Sequence, residues 1–371
     1  MRFIVRLIAI ACLAGAVLVP TAASADRMWV GFHDDPMFRW DGTRLDALDR
    51  ARANNAAILR TIVDWSQVAP ERPTQASDPF DPVYKFGDID EFVRNAQQRG
   101  MEVVITIWGT PSWANGGQKP QAMPTNIADF QDFARAVAAR YSGRYAGYPF
   151  VRFFTIWNES NLATFLVPQF NASGKIVSPA NYAKLARAGI AGIRVGNSRA
   201  QVGIGETSSN GRDKHRAGLT DTVAPATFMK GVAAALKGVR FDAWAHHPYY
   251  GSPTQTPTTR NVGSHTVGLG NIDALTNELT RLYGPKHLWI TEYGYQTRPP
   301  DMFFGVSWTK QAEYLREAYE IARANPRIDL FTWFLLNDNT SPNGWQSGLR
   351  TATGRDKPAF ATFAKLRAGT L

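Results

Sequence analysis

Two glutamates stand directly after apolar, β-branched runs, at the points where buried strands would end. Glu159 closes the run Val151-Arg152-Phe153-Phe154-Thr155-Ile156-Trp157-Asn158, and Glu292 closes His287-Leu288-Trp289-Ile290-Thr291. Two carboxyl groups brought together from distant strand ends can cleave a glycosidic bond: one protonates the departing oxygen while the other attacks the anomeric carbon. Taken singly, either residue reads equally well as a loop charge paired with a nearby Arg. Two of them, both with aromatic flanks, favour the chemical reading.

Such a pair needs a frame that brings both strand ends to one mouth. Apolar runs begin near Met28, Ala57, Glu102, Val151, Gln201, Phe241, His287 and Asp329, each carrying β-branched or aromatic residues. Helix-period stretches separate them, over 44–54, 89–99, 127–141, 179–195, 225–236, 272–283, 309–324 and 357–367. Asp41 and Ser178-Pro179 are start signals for the first and fourth of these. Gly100 and Gly284-Pro285 are stop signals for the second and sixth. Eight strand–helix units with near-continuous apolar strands predict a parallel α/β sheet closed into a single (β/α)8 barrel, with elaborated loops after the strands. An open doubly wound sheet would carry a Gly-rich phosphate loop after its first strand, and Gly31-Phe32-His33-Asp34-Asp35 is not one.

A barrel of this kind places its chemistry at the C-terminal ends of the strands. In this chain those ends are rich in polar and aromatic residues. They hold His33, Asp34 and Asp35; Arg60, Asp64 and Trp65; Trp108 and Trp113; Asn158, Glu159 and Asn161; Glu206; His246 to Tyr250; Glu292 and Tyr293; and Trp333 with Asn337.

Asn-Glu closing the fourth strand and Glu closing the seventh resemble the signature of glycoside hydrolase clan A, the retaining (β/α)8 glycosidases. The likeness extends over essentially the whole chain after its N-terminal segment. It implies that Glu159 is the acid/base and Glu292 the nucleophile of a double displacement through a covalent glycosyl-enzyme. It also implies that Arg60 hydrogen-bonds Glu292 and holds it ionised, since a neighbouring cation lowers a carboxyl pKa. By the same likeness Asn158 binds the sugar 2-hydroxyl, His247 meets the sugar, Tyr249 orients the nucleophile and Trp333 floors the sugar site. His246 would point the other way from His247. The segment Trp108-Gly109-Thr110-Pro111-Ser112-Trp113 stands where many family 5 members have a His, and it is more similar to family 39. Trp108 and Trp113 are assigned to substrate binding. Trp65, Trp113, Phe165, Tyr250, Trp308 and Trp345 lie in or beside the loops after the strands, where stacking on flanking sugars would suit an endo-acting enzyme on a polymer. Loops 66–86, 116–125, 207–224 and 250–268 would shape that cleft.

Composition narrows the setting. Arg2 and Arg6, the apolar stretch from Leu7 to Pro20 and Ala23-Ser24-Ala25 read as an export signal over 1–25. The expected product is a secreted catalytic domain over 26–371. The apolar stretch is too short for a membrane anchor. Cys12, the single cysteine, lies within it, which leaves no disulfide or cysteine-based metal site in the remainder. The formal charge of +10 suits an acidic glycan, and equally a basic soluble surface. No dense Lys/Arg run interleaved with aromatics points to nucleic acid. The expected partner is thus a poly- or oligosaccharide, with no cofactor, no metal and a monomer as the default. Three rivals share the architecture: a transglycosylase with the same site, a non-catalytic glycan-binding barrel, and a metal-dependent barrel using His33, Asp35, Glu206, His246 or His247. For the last, the only tight ligand spacing is the adjacent His246-His247 pair, whose rings cannot both face inward.

Overall fold

The computed structural model describes residues 28–261 and 265–366; the export signal expected over 1–25 lies outside them. Eight strands run β1 (Trp29–His33), β2 (Ile58–Asp64), β3 (Glu102–Trp108), β4 (Phe153–Ile156), β5 (Gln201–Ser208), β6 (Ala243–His247), β7 (His287–Tyr293) and β8 (Ile328–Phe334). Among the described residues they form one closed barrel in sequence order, every pair parallel, with β8 pairing back onto β1. The eight principal helices are α1 (Arg44–Ala53), α2 (Gly87–Gln98), α3 (Ile127–Arg140), α4 (Ser178–Gly196), α5 (Pro225–Ala235), α6 (Ile272–Tyr283), α7 (Trp308–Ala324) and α8 (Pro358–Phe363). The expected (β/α)8 architecture is the observed one. The last helix is the exception in length, since its α-helical span ends at Phe363. No helix of the described residues is long and apolar enough to cross a membrane.

The barrel interior is layered, and the layers follow from strand parity. Residues two apart on a strand face the same side. At the N-terminal end the inward set is apolar: Ile58, Val104, Phe153, Ala243, Ala245, Trp289 and Leu330 form a buried cluster, with Trp29 half-buried against it. Trp289 meets Phe153 edge-on with ring centroids 5.5 Å apart. One step up each strand the inward set turns polar, with Arg60, Thr106, Thr155, His247, Thr291 and Thr332, all without exposed surface. The sheet's other face carries residues such as Phe32, Leu59, Ile105, Phe154, Ile204, Trp244 and Phe331 into the helix-covered core. Apolar area removed from water there stabilises the shell by about 25 cal/mol per Å².

The ladders carry three register shifts, one of them low on β7 between Leu288 and Trp289, and the other two fall at carboxylates. The β5–β6 register shifts between Ile204 and Thr207, and the β7–β8 register shifts between Ile290 and Tyr293. A bulge inserts an extra residue and re-aims a side chain. The first shift turns Glu206 inward beside Thr207, and the second does the same for Glu292 after Thr291. At the first, Gly205 adopts φ +98°, and a Cβ there would lie 2.3 Å from the Trp244 ring. Only glycine fits both conditions. We expect Gly205→Ala to destabilise the barrel by about 1–3 kcal/mol, measured as a lower thermal midpoint. Gly42→Ala, where nothing lies within 4 Å of the added carbon, should stay within about 1 kcal/mol of the parent.

Candidate active site

The polar layer opens into a cavity of about 480 Å³ at the C-terminal ends of the strands. Its floor and walls include His33, Asn158, Glu159, Tyr249 and Glu292, with Phe165, Tyr250, Phe304, Phe334 and Trp345 around them. The sequence reading thus brings Glu159, Glu292, Asn158 and Tyr249 together at one mouth.

Arg60 organises the centre. It projects from β2 with no exposed surface and donates Nη1 to Glu292 Oε1 at 2.5 Å. Nη2 donates to Asn158 Oδ1 at 2.8 Å and to Glu206 Oε2 at 2.7 Å, and Nε donates to Thr106 Oγ1 at 2.9 Å. His33, its register partner on β1, places Nδ1 3.1 Å from Glu292 Oε1. The other ring nitrogen, Nε2, lies 3.6 Å from Asp35 Oδ2. Tyr249 donates its hydroxyl to Glu292 Oε2 at 3.1 Å. The expected partners of Glu292, Arg60 and Tyr249, are therefore in place. His33 is a third, which sequence reasoning put at a strand end without linking it to Glu292.

His247 joins the two glutamates. Its Nδ1 lies 3.0 Å from Glu159 Oε1 and 3.7 Å from Glu292 Oε2. Its Nε2 contacts Glu206 Oε2 at 3.2 Å and Thr291 Oγ1 at 3.1 Å. The ring has no exposed surface, so it reaches the cavity through Glu159 rather than by its own face. His246, one residue earlier, faces the opposite side as parity requires, with Nδ1 2.8 Å from Thr207 Oγ1 and Nε2 2.9 Å from the Val267 carbonyl.

The electrostatics follow from burial set against opposite charge. Burial pushes the Glu292 carboxyl up, but His247, Arg60 and His33 outweigh it and hold the group well below the usual carboxylate range. Burial likewise opposes the charge on Glu206, and Arg60 and His247 reverse that effect. Burial pulls His247 down, whereas Glu292, Glu159 and Glu206 together carry it up to about 10. His246 lacks such partners, and burial takes it down to about 4. Burial and the charges of Glu292 and Glu159 raise Tyr249 well above an ordinary phenol, which keeps its hydroxyl a donor.

Three of the four non-glycine residues with positive φ among the described residues lie in this site: Trp157 (69°), Glu159 (33°) and Glu206 (42°). Such conformations cost about 1–3 kcal/mol each and concentrate where geometry serves function. The Trp157 indole donates to the Phe165 carbonyl at 2.6 Å and so anchors the turn that presents Glu159.

Three aromatic assignments need correction. Trp333 lies outward between Thr332 and Phe334. It is fully buried, with Nε1 donating to the Ser347 carbonyl at 2.8 Å, and packs in the outer core. Phe334, one residue later and on the inward parity, lines the cavity in its place. Trp108 is half-buried and donates to the Phe165 carbonyl at 3.2 Å; it supports a cavity wall without forming one. Trp113 donates to the Ala69 carbonyl at 2.8 Å and meets Trp65 edge-on, which fastens two loops together. Of the expected cleft aromatics, Phe165, Tyr250 and Trp345 line the cavity, whereas Trp65 is a core residue.

Comparisons with known proteins bear on the fold and the family. The sequence pattern described as cellulase (glycosyl hydrolase family 5) matches residues 24–339. The rice protein (Oryza sativa subsp. japonica) named beta-glucosidase-like SFR2, chloroplastic, is 30% identical over 126 residues, 32% of this chain and 18% of that protein's length. A family 39 glycoside hydrolase from the gut symbiont Bacteroides cellulosilyticus WH2 superposes with TM-score 0.67 at 19% identity, covering 94% of this chain and 65% of that one. XacCel5A, solved in complex with cellopentaose, superposes with TM-score 0.58 at 15% identity over 92% of this chain and 99% of its own. At these identities the superpositions establish the barrel fold. The family pattern spans most of the sequence, and on that ground the chain belongs to glycosyl hydrolase family 5, a clan A family of hydrolases acting on glycosidic bonds.

Proposed function

We propose that this hydrolase cleaves β-linked glycans of neutral sugars with retention of configuration, Glu292 acting as nucleophile and Glu159 as acid/base. One observation carries the reading: a single nitrogen, His247 Nδ1, lies within 4 Å of both glutamates, while of those two only Glu292 is paired with Arg60. The two carboxylate oxygens can lie no farther apart than the sum of the two His247 contacts. That bound, set by one oxygen of each group, admits the retaining spacing of about 5–5.5 Å.

The steps follow from the contacts. Glu292, charged and oriented by Arg60 and Tyr249, attacks the anomeric carbon while Glu159 protonates the leaving oxygen. Water deprotonated by Glu159 then releases the sugar. Asn158 turns its amide oxygen to Arg60, which leaves its NH₂ to donate to a sugar hydroxyl. The cavity is lined by Ser208, Ser209, Asn210 and Gln296 beside its aromatics, with no Lys or Arg. A uronic acid would meet two carboxylates and no free cation, so a neutral sugar is the better fit despite the basic composition. Phe165 and Trp345, the latter 41% exposed, offer faces to sugars beyond the scissile bond, in keeping with endo action on a polymer. With residues 1–25 as an export signal, that action takes place outside the cytoplasm.

On a panel of β-glucans, mannans, xylans and acidic exopolysaccharides, the parent should release new reducing ends from a neutral polymer, with viscosity falling before monosaccharide accumulates. Glu292→Gln should abolish turnover on every substrate. Glu159→Gln should spare the first step on aryl glycosides with good leaving groups, since these need no protonation. Equal loss on both substrate kinds would reject the assigned roles, and release from acidic polymers alone would reject the neutral sugar. Phe334→Ala should raise KM, by about 1–3 kcal/mol of lost contact. Trp333→Phe should instead lower the thermal midpoint and leave KM near the parent value; the reverse pattern would restore Trp333 to the sugar site.

A further inference from the structure

Glu206 holds a charge that the reaction as written does not use. Its side chain is wholly buried, and it does not line the cavity. Yet the backbone takes φ +42° to place it, after a glycine at +98° and within a register shift. One oxygen, Oε2, accepts from both Arg60 Nη2 at 2.7 Å and His247 Nε2 at 3.2 Å. Those are the two cations whose opposite sides hold Glu292 and Glu159.

We propose that Glu206 is a positioning residue, a permanent buried counter-ion that clamps Arg60 and His247 from behind while the negative charge moves between the two catalytic glutamates. The inference rests on the roles given to Glu159 and Glu292. Before attack, the anions facing the cations are Glu292 and Glu206, with Glu159 protonated. In the glycosyl-enzyme, Glu292 is an uncharged ester, and Glu159, having given up its proton, is the second anion. With His33 matched by Asp35 on its other side, the two cations Arg60 and His247 face two anions in both states, with Glu206 common to both. An unpaired ion in so dry a place would be costly. Without Glu206 the site would hold an excess positive charge at each stage. His247, the only one of the two cations able to lose a proton readily, would shed it.

The groups facing His247 are Glu159 at the end of β4, Glu206 on β5, and Glu292 with the Thr291 hydroxyl on β7. Tyr249 and His246 are its neighbours on β6, Arg60 of β2 shares its carboxylates, and His33 of β1 stands beyond Glu292. Because the folded protein holds the His247 proton up to about 10, against 6.5 for a free imidazole, the charged ring's contribution is complete below about 6.5 and is lost as pH rises through about 10.

The test is a ¹⁵N-histidine NMR titration of the folded, full-length protein, parent against Glu206→Gln and Glu206→Asp. The ring of His247 should stay protonated across neutral pH in the parent. In Glu206→Gln its proton should leave at least about one pH unit lower, and Glu206→Asp, which keeps the charge, should recover part of that shift. On an aryl β-glycoside, Glu206→Gln should lose about tenfold or more in kcat with KM within about threefold, and the alkaline limb of kcat should move down with the imidazole. An unchanged titration in Glu206→Gln would overturn the proposal whatever happens to the rate. If the variants do not fold, the parent alone decides against it should His247 titrate near 6.5. A moved titration in a protein that cleaves no glycoside would leave the clamp standing and remove the catalytic roles instead.

Discussion

The site depends on a guanidinium placed where no water reaches it. Taking the charge of Arg60 into the barrel costs several kcal/mol in lost hydration, and the cost is met only if anions and acceptors surround the group in good geometry. Glu292, Glu206, Asn158 and Thr106 provide that shell from four different strands or strand ends. Each is fixed by a backbone feature: inward parity for Thr106, the turn after β4 for Asn158, and a register shift for each glutamate. The barrel's closure therefore does more than support the site. It is the condition under which a buried arginine can be satisfied from several directions at once.

From that centre the difference between Glu159 and Glu292 follows. Glu292 sits against Arg60, His33 and Tyr249, and its charge is held by all three. Glu159 meets the network through His247 and otherwise faces the cavity. The two carboxyl groups thus sit in unlike surroundings, as the roles proposed for them require. Tyr249 contributes by staying protonated, because a phenol flanked by carboxylates cannot readily become an anion.

The alternation of apolar runs and helix periods made the eight units legible, and the strand-end rule then found Glu159, Glu292, Arg60, Asn158 and Tyr249. What the sequence hid was side-chain parity near the strand tips. Trp333 and Phe334 are adjacent aromatics, and the likeness to clan A favours the indole as a sugar platform. Counting from Leu330 and Thr332 on the inward face gives the place to Phe334 instead, and that count was available in the sequence. The register shifts at Glu206 and Glu292 were not, because a bulge depends on what the neighbouring strand does. Trp108 and Trp113 are a different case: their indole N–H groups find carbonyls across loops, at Phe165 and Ala69, and long-range partners of that kind leave no local pattern.

The same barrel divides its interior by task, and the division accounts for where strain is tolerated. The N-terminal half is an apolar plug around Trp289 and Phe153, packed closely enough that an added Cβ at Gly203 would lie 2.7 Å from the Trp289 ring. Close packing of that kind is stiff, and it holds the strands at fixed tilt and spacing. The C-terminal half can then keep Trp157, Glu159 and Glu206 in unfavourable backbone conformations without relaxing, since relaxation would require moving strands that the plug fixes. Strain at the rim is thus sustained by packing below it. A loosened plug would release Glu159 and Glu206 from their positions, even though none of its side chains lines the cavity.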